Sequence, residues 1–425
     1  MPALSPRILA VVAAAAALAS ACAATAHAET VPNEVVVAYA GAHPHVVHTT
    51  RVAATIAKLR ARPDVRYAVR NVVAHAAGAY VPDDPGRGST PGRWSAVQWN
   101  FAGPAGVNAP DAWGHLIADG HPGGQGVKIA VLDTGVAYRR FGKTPASPDL
   151  ASTKVVGGYD FVGHDPYAND RNGHGTHVAS TIAEATNNDV GLTGLAYGAS
   201  IMPVKVLDDT GEGDASVIAD GVRFAVKHGA KVINLSLEFG SDISWRQIPQ
   251  LIDAISEARS QGAVVVAASG NEADTAVAYP ARNSNVLSVG STTEHGCLSD
   301  FSNQGTGLDL VAPGGGQDAP LDDAGCDHSG PAGRNIAQMT LVGVHKTRIG
   351  IPRGYQGTSM AVPHVSATAA LVIASGILGP DPSPDAVERR LEATARDLGP
   401  PGYDTRYGYG LVNAGAATDP TVPVA

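Results

Sequence analysis

Four side chains in this sequence carry the groups that acyl transfer requires: a hydroxyl, an imidazole, a carboxylate and a carboxamide. The hydroxyl is Ser359, in the stretch Gly357, Thr358, Ser359, Met360, Ala361, Val362, Pro363, His364, Val365. Beyond it, Val365, Ala367, Ala369, Ala370, Leu371, Val372 and Ile373 make an almost all-round apolar helix, which belongs in a core. The serine is therefore expected at a helix start, with Gly357 bending the incoming chain and Pro363 in the first turn. Unpaired N–H groups and the positive end of the helix dipole favour negative charge developing beside that hydroxyl. An ordinary Ser/Thr N-cap also accounts for the stretch taken alone, so Ser359 needs partners.

Asp133 closes the apolar run Val127 to Leu132 and is followed by the turn residues Thr134 and Gly135. Alone it reads as a solvated turn aspartate. His174 lies between Gly173 and Gly175, ahead of a helical run Thr176 to Ala185, with His177 at helical spacing. Two histidines three apart also admit a metal reading, but no cysteine is near and the H-E-x-x-H pattern is missing. Asn271 follows Gly270 just past the run Val264 to Ala268; its amide can donate to an oxyanion, or it can be a turn residue tolerating left-handed geometry. A neutral serine needs a base, which His174 would supply while Asp133 fixes its tautomer. The chain order Asp, His, Ser, with Met360 and Ala361 after the serine, excludes the α/β-hydrolase order and its G-x-S-x-G signature.

The elements that must bring these residues together follow from the hydrophobic pattern. Apolar runs at Val127 to Leu132, Ile201 to Leu207, Lys231 to Leu237, Val264 to Ala268 and Val286 to Val289 fit strands buried on both faces. Helical patterns lie at Ala215 to Lys227, Ile248 to Arg259 and Pro384 to Ala395. The alternation implies an α/β fold: a doubly wound parallel sheet flanked by helices on both faces. In such sheets the chemistry gathers at the carboxyl ends of the strands, where these candidates fall.

A chain of 425 residues with 44% hydrophobic residues can bury a large core, and its 50 Gly and 29 Pro indicate many tight loops. The net charge of −9, with no basic run, argues against a nucleic-acid partner. Residues 1–28 read as a secretory signal peptide: Arg7, an apolar run from Ile8 to Leu18, and Ala26, His27, Ala28 as the cleavage signal. A competing detail is Ala19, Ser20, Ala21, Cys22, a weak lipoprotein-like signal that would anchor the protein at the cell surface. Past the signal, no run of about 18 uninterrupted apolar residues follows that would span a membrane. Cleavage after Ala28 leaves two cysteines, Cys297 and Cys326, and export to an oxidising space favours their pairing. Residues 29–79 form a separate small unit: a strand-like Glu34 to Tyr39, a helix-like Arg51 to Arg62, and an extended Val65 to Val73. That unit holds six Lys/Arg against three acids, so it is basic where the remaining chain is acidic, and the two are expected to dock.

Taken together, Ile129 to Val136 (IAVLDTGV), Asn172 to Ala179 (NGHGTHVA), Ala268 to Asn271 (ASGN) and Gly357 to Val365 (GTSMAVPHV) resemble the subtilisin-like (subtilase) serine endopeptidases, and most closely the thermitase type. The resemblance covers about Tyr80 to Ala416, and the unit before it resembles the family's inhibitory propeptide. It implies Ser359 as nucleophile, His174 as general base and then acid, Asp133 as its orienting partner and Asn271 as oxyanion donor. His177 and His364 would be structural. The stretch Thr186 to Leu192 resembles the family's calcium loop, with Asp84, Asp149, the Asn188 amide and the carbonyls of Ala185, Val190 and Leu192 as an oxygen set for Ca²⁺. No organic cofactor is implied. Ser236 and Leu237, facing Ala268, Ser269 and Gly270, would line the substrate cleft, although Glu238 and Phe239 replace the family's glycines there. Ala278 would form the base of the first specificity pocket and favour an apolar residue before the cut. Glu212, between Gly211 and Gly213 on the opposite wall, would favour a basic residue further upstream. The long segment Gly314 to Tyr355 reads as a surface insertion near the cleft. The expectation is a secreted, monomeric endopeptidase on residues 80–425, made as a zymogen that its own residues 29–79 help to fold and then block, and acting on protein or peptide substrates. A selective processing protease and a non-catalytic binding protein of the same fold are the alternatives.

Overall fold

The computed structural model describes residues 30–41, 43–72, 79–321, 323, 326, 328 and 330–423. The expected signal segment 1–28, with its cleavage site and Cys22, and most of the stretch Ala76 to Ala79 lie outside the described residues. The chain divides after Ala76 into two compact units.

The first unit is α+β. Strands β1 (Thr30–Tyr39), β2 (His45–His48) and β3 (Val65–Val72) pair antiparallel in the order β2-β1-β3, and α1 (Val52–Arg60) joins the last two. Val35 and Val37, two apart on one face of β1, are buried with Ala68, and Val52, Ile56 and Leu59 of α1 pack onto them. The short β2 was not expected: its four residues, with two histidines, are too few to show a period.

The second unit is built on a parallel sheet. After the short α2 (Trp99–Ala102) and α3 (Ala109–Ala118) come β4 (Lys128–Asp133), β5 (Lys154–Val155), β6 (Tyr159–Asp160), α4 (His174–Ala183), β7 (Ser200–Lys205), α5 (Ala215–Lys227) and β8 (Val232–Leu235). Then follow α6 (Pro249–Ser260), β9 (Val264–Ala268), β10 (Leu287–Thr292) and β11 (Leu310–Pro313). A hairpin of β12 (Thr340–Val342) and β13 (Arg348–Gly350) leads to α7 (Thr358–Ser375), α8 (Pro384–Ala393) and α9 (Ala414–Thr418). The strand order is β11-β10-β9-β8-β4-β7-β5, with β6 also paired to β7, and every pairing in this sheet is parallel.

The sheet separates two apolar layers, and strand alternation decides which residue enters which. Ile129 and Val131 of β4 join α3, α4 and α7 on one face, while Ala130 and Leu132 join α5 and α6 on the other. Val264, Val266 and Ala268 of β9 go with α7, and Val265 and Ala267 with α6. Helix α7 is long and apolar enough to cross a membrane, but 78% of it is buried inside the protein, as befits a core helix. Each fully buried Val, Leu or Ile in it contributes roughly 1.5–3 kcal/mol, which makes α7 a rigid mount for Ser359.

Cys297 and Cys326 form a disulfide. The segment Gly314 to Tyr355 is more than a surface insertion. Ile336 to Leu341 are buried, Ser180 Oγ of α4 donates to the Met339 carbonyl oxygen at 2.9 Å, and the Tyr355 ring stacks on His177 with centroids 4.2 Å apart. The apolar residues inside this glycine-rich stretch explain the difference: they complete the wall around α4.

Candidate active site

Asp133 is the last residue of β4 and is fully buried. His174 opens α4, two residues earlier than the sequence pattern placed the helix, because Gly173 takes the left-handed N-cap position with φ 104°. Its Nδ1 lies 2.8 Å and 3.0 Å from the two Asp133 oxygens. Gly175 permits this approach, since a Cβ there would fall 2.3 Å from the Gly135 carbonyl oxygen and 2.9 Å from Asp133 Oδ1. Burial opposes charging the imidazole, but the charge and hydrogen bond of Asp133 outweigh it and hold the pKa above the ordinary 6.5. With Nδ1–H committed to the carboxylate, the neutral ring keeps its lone pair on Nε2.

A second carboxylate shapes the loop entering α4. Buried Asp170 accepts hydrogen bonds from the backbone N–H groups of Asn172, Gly173 and Thr176 and from the hydroxyls of Thr134 and Thr176. It ties the turn after β4 to the turn before His174. Sequence reasoning missed it, although an acid three residues before a glycine is a turn-forming signal.

Ser359 is the second residue of α7, and Gly357 precedes it at φ 140°, a conformation that favours glycine. Pro363 is not in the first turn but inside the helix. Lacking an N–H, it leaves the Ser359 carbonyl without its helical donor, and Ser236 Oγ donates there instead at 2.9 Å. Ser359 Oγ in turn donates to the Ser236 carbonyl oxygen at 3.1 Å. No hydrogen bond joins it to the imidazole among the described residues, yet His174 and Ser359 border the same cleft of about 570 Å³.

Asn271 approaches from the loop after β9. Its Oδ1 accepts from the Thr358 N–H at 2.8 Å and the Thr358 hydroxyl at 3.1 Å, which fixes the carboxamide beside Ser359. Its Nδ2 donates to Glu238 Oε1 at 2.9 Å. Asn271 borders a second cavity, of about 410 Å³, with His174, Tyr355 and Ser359.

Of the expected cleft residues, Gly211, Gly213, Ser236 and Leu237 line the larger cleft together with Glu212 and Glu238. Ala268, Ser269, Gly270 and Ala278 are buried and border neither cavity. Two contacts join the segment after β8 to the loop after β9: the Glu238 to Asn271 bond, and the Phe239 N–H donating to the Tyr279 carbonyl oxygen at 2.8 Å. His177 and His364 are fully buried, and burial pushes their pKa values down to about 3 and about 4, so both are neutral. His177 faces the Ile336 carbonyl and His364 faces Asn100 and the Met360 carbonyl.

The residues matched to a calcium loop meet away from the cleft. Asp84 and Asp149 are fully buried, and burial pushes their carboxyls up to about 6 and about 7. Burial also raises the neighbouring Glu184 well above the carboxylate range, and its Oε2 has no hydrogen-bond partner. The carbonyl oxygens of Ala185, Val190 and Leu192 accept no hydrogen bond among the described residues. Asn188 donates to Asp149 Oδ1 at 2.9 Å. Buried carboxylates and undonated carbonyls, with no Lys or Arg beside them among the described residues, are the donor chemistry a hard divalent ion takes.

Comparison with known proteins decides the family. The profile of the Subtilase family (Peptidase S8) matches residues 124–410. The chain belongs to the subtilase family. It is a serine endopeptidase. It is 40% identical over 296 residues to subtilisin Savinase of Lederbergia lenta, an alignment covering 69% of this chain and 91% of that one. It is 36% identical over 335 residues to thermitase of Thermoactinomyces vulgaris, covering 79% and 98%. Among solved structures, a protease from Pseudoalteromonas arctica PAMC 21717 aligns with this subtilase at TM-score 0.63 and 32% identity, covering 80% of this chain and 99% of its own.

Proposed function

We propose that this subtilase cleaves peptide bonds through an acyl-enzyme on Ser359. The observation that carries the reading is the buried Asp133 carboxylate 2.8 Å from His174 Nδ1, with the imidazole bordering the same cleft as the Ser359 hydroxyl. Rotation of Ser359 to another staggered well takes its Oγ from the Ser236 carbonyl toward the imidazole. His174 Nε2 accepts the proton as Oγ attacks the substrate carbonyl. Asp133 holds the ring and stabilises the imidazolium, which then protonates the leaving amine. The Asn271 amide and the Ser359 N–H, at the positive end of α7, take the negative charge of the tetrahedral intermediate. Water, activated by the same imidazole, releases the acyl group.

The protein is exported by residues 1–28 and made as a zymogen. The compact, basic α+β unit that precedes the catalytic unit supports its role as a folding aid and inhibitor, removed by self-cleavage near Ala79. The mature enzyme is a monomer acting on protein or peptide substrates. Ca²⁺ would be held by Asp84, Asp149, Asn188 and the carbonyls of Ala185, Val190 and Leu192, and would neutralise the carboxylates that burial leaves uncompensated. Labelling by a fluorophosphonate tests the catalytic reading: the native protein should react at one serine and Ser359→Ala should not. Labelling that survives in Ser359→Ala would overturn it.

A further inference from the structure

Glu238 is a cleft residue that the mechanism leaves unused. Its Oε1 takes the hydrogen bond of the Asn271 amide, the group that should face the oxyanion. Its Oε2 is buried with no hydrogen-bond partner. Two carboxylates, Glu212 and Glu238, border the larger cleft, and among the described residues no Lys or Arg does. Burial raises the Glu238 carboxyl against the Asn271 hydrogen bond, and the charge of Glu272 adds to the rise.

A carboxylate in this place is in conflict with the chemistry. Negative charge must develop on the substrate carbonyl beside an amide that already serves another anion, and two anions sharing one amide repel. A cation from the substrate removes the conflict. It neutralises Glu238, supplies the missing partner of Oε2, and leaves the Asn271 N–H for the oxyanion. The substrate side chain that best meets this need is that of the residue whose carbonyl is attacked, because its Cα is bonded directly to that carbonyl carbon.

We propose that Glu238 is a specificity-determining residue that selects Lys or Arg at the residue contributing the scissile carbonyl, the bound cation drawing the carboxylate from Asn271. This rests on the acyl-enzyme reading above, and it replaces the apolar preference expected from Ala278, which is buried and borders neither cavity. It also makes selectivity and rate one property. A neutral side chain leaves the oxyanion donor engaged, so poor substrates bind but turn over slowly.

The test compares two fluorogenic peptides that differ only by arginine or citrulline, its neutral isostere, before the scissile bond. The native enzyme should show kcat/KM at least about tenfold higher for arginine, the discrimination expected of a hydrogen bond to a charged group. Glu238→Gln and Glu238→Gly should each bring the ratio near one, lowering the arginine rate and raising the citrulline rate. Equal rates on the two peptides in the native enzyme, or an unaltered ratio in both variants, overturns the proposal. Fluorophosphonate labelling of the same samples reports on Ser359 separately. A native protein that does not label refutes the acyl-enzyme reading, whereas one that labels but ignores the arginine refutes only the role of Glu238.

Discussion

The Ser236 hydroxyl donates to the Ser359 carbonyl oxygen at 2.9 Å, and the Ser359 hydroxyl donates back to the Ser236 carbonyl oxygen at 3.1 Å. The two residues are 123 positions apart, one just beyond β8 and the other at the start of α7. The first bond replaces the one Pro363 cannot make, so it anchors the backbone of Ser359 whichever way the hydroxyl turns. The second bond is the one that must break for the proposed attack.

Replacing Ser359, the proposed nucleophile, should therefore separate architecture from chemistry. Ser359→Ala keeps the Ser236 bond to the residue 359 carbonyl and should fold, while kcat drops by roughly 10⁶. Self-cleavage should stop with it. N-terminal sequencing of the exported variant is expected to begin near residue 29 and that of the native protein near residue 80. A native protein that starts near residue 29 and is fully active would rule out the zymogen scheme.

The imidazole sets the pH dependence. As the proposed base His174 works only when neutral, and Asp133 raises its pKa above the ordinary 6.5, so kcat/KM should rise with pH through a midpoint above that value. An acid limb centred below 6.5 would contradict the pairing seen here.

Asn271→Ala removes a donor while leaving the nucleophile and base intact. Expected is a fall of roughly 10²–10³ in kcat, equivalent to about 2.7–4 kcal/mol, with KM little changed. A loss confined to KM would make Asn271 a substrate-binding residue and not a transition-state donor.

Chelation should act on stability. A ligand bound only by the folded state at a hundredfold excess over its Kd adds about 2.7 kcal/mol, so EDTA should lower Tm by several degrees and Ca²⁺ should restore it. In Asp149→Asn the effect should be much smaller. Identical melting curves in EDTA and in added Ca²⁺ would remove the ion from this description.

The hydrophobic pattern carried most of the fold. Val264 to Ala268 and Ala215 to Lys227 have the expected bounds, because continuous apolar runs and helical stripes report burial directly. The positions of Asp133, Asn271 and Ser359 at element ends were legible for the same reason. What escaped the sequence depends on partners distant along the chain. Pro363 looks like a first-turn residue until Ser236 is seen satisfying the carbonyl it frees. Glu238 looks like a replaced glycine until Asn271, 33 residues on, is found donating to it. Asp170 is one acid among many until five donors converge on it, and the buried half of Gly314 to Tyr355 is hidden by its glycines.

β4 is hydrogen-bonded along both edges, Ile129 to Val131 facing β8 on one side and Lys128 to Asp133 facing β7 on the other. Such a strand cannot slide. Adding or deleting one residue within it would exchange the two faces and turn the carboxylate at its tip away from the imidazole. Natural or engineered diversity in this scaffold therefore has to be written in the loops that leave the sheet, with the length of its central staves held constant.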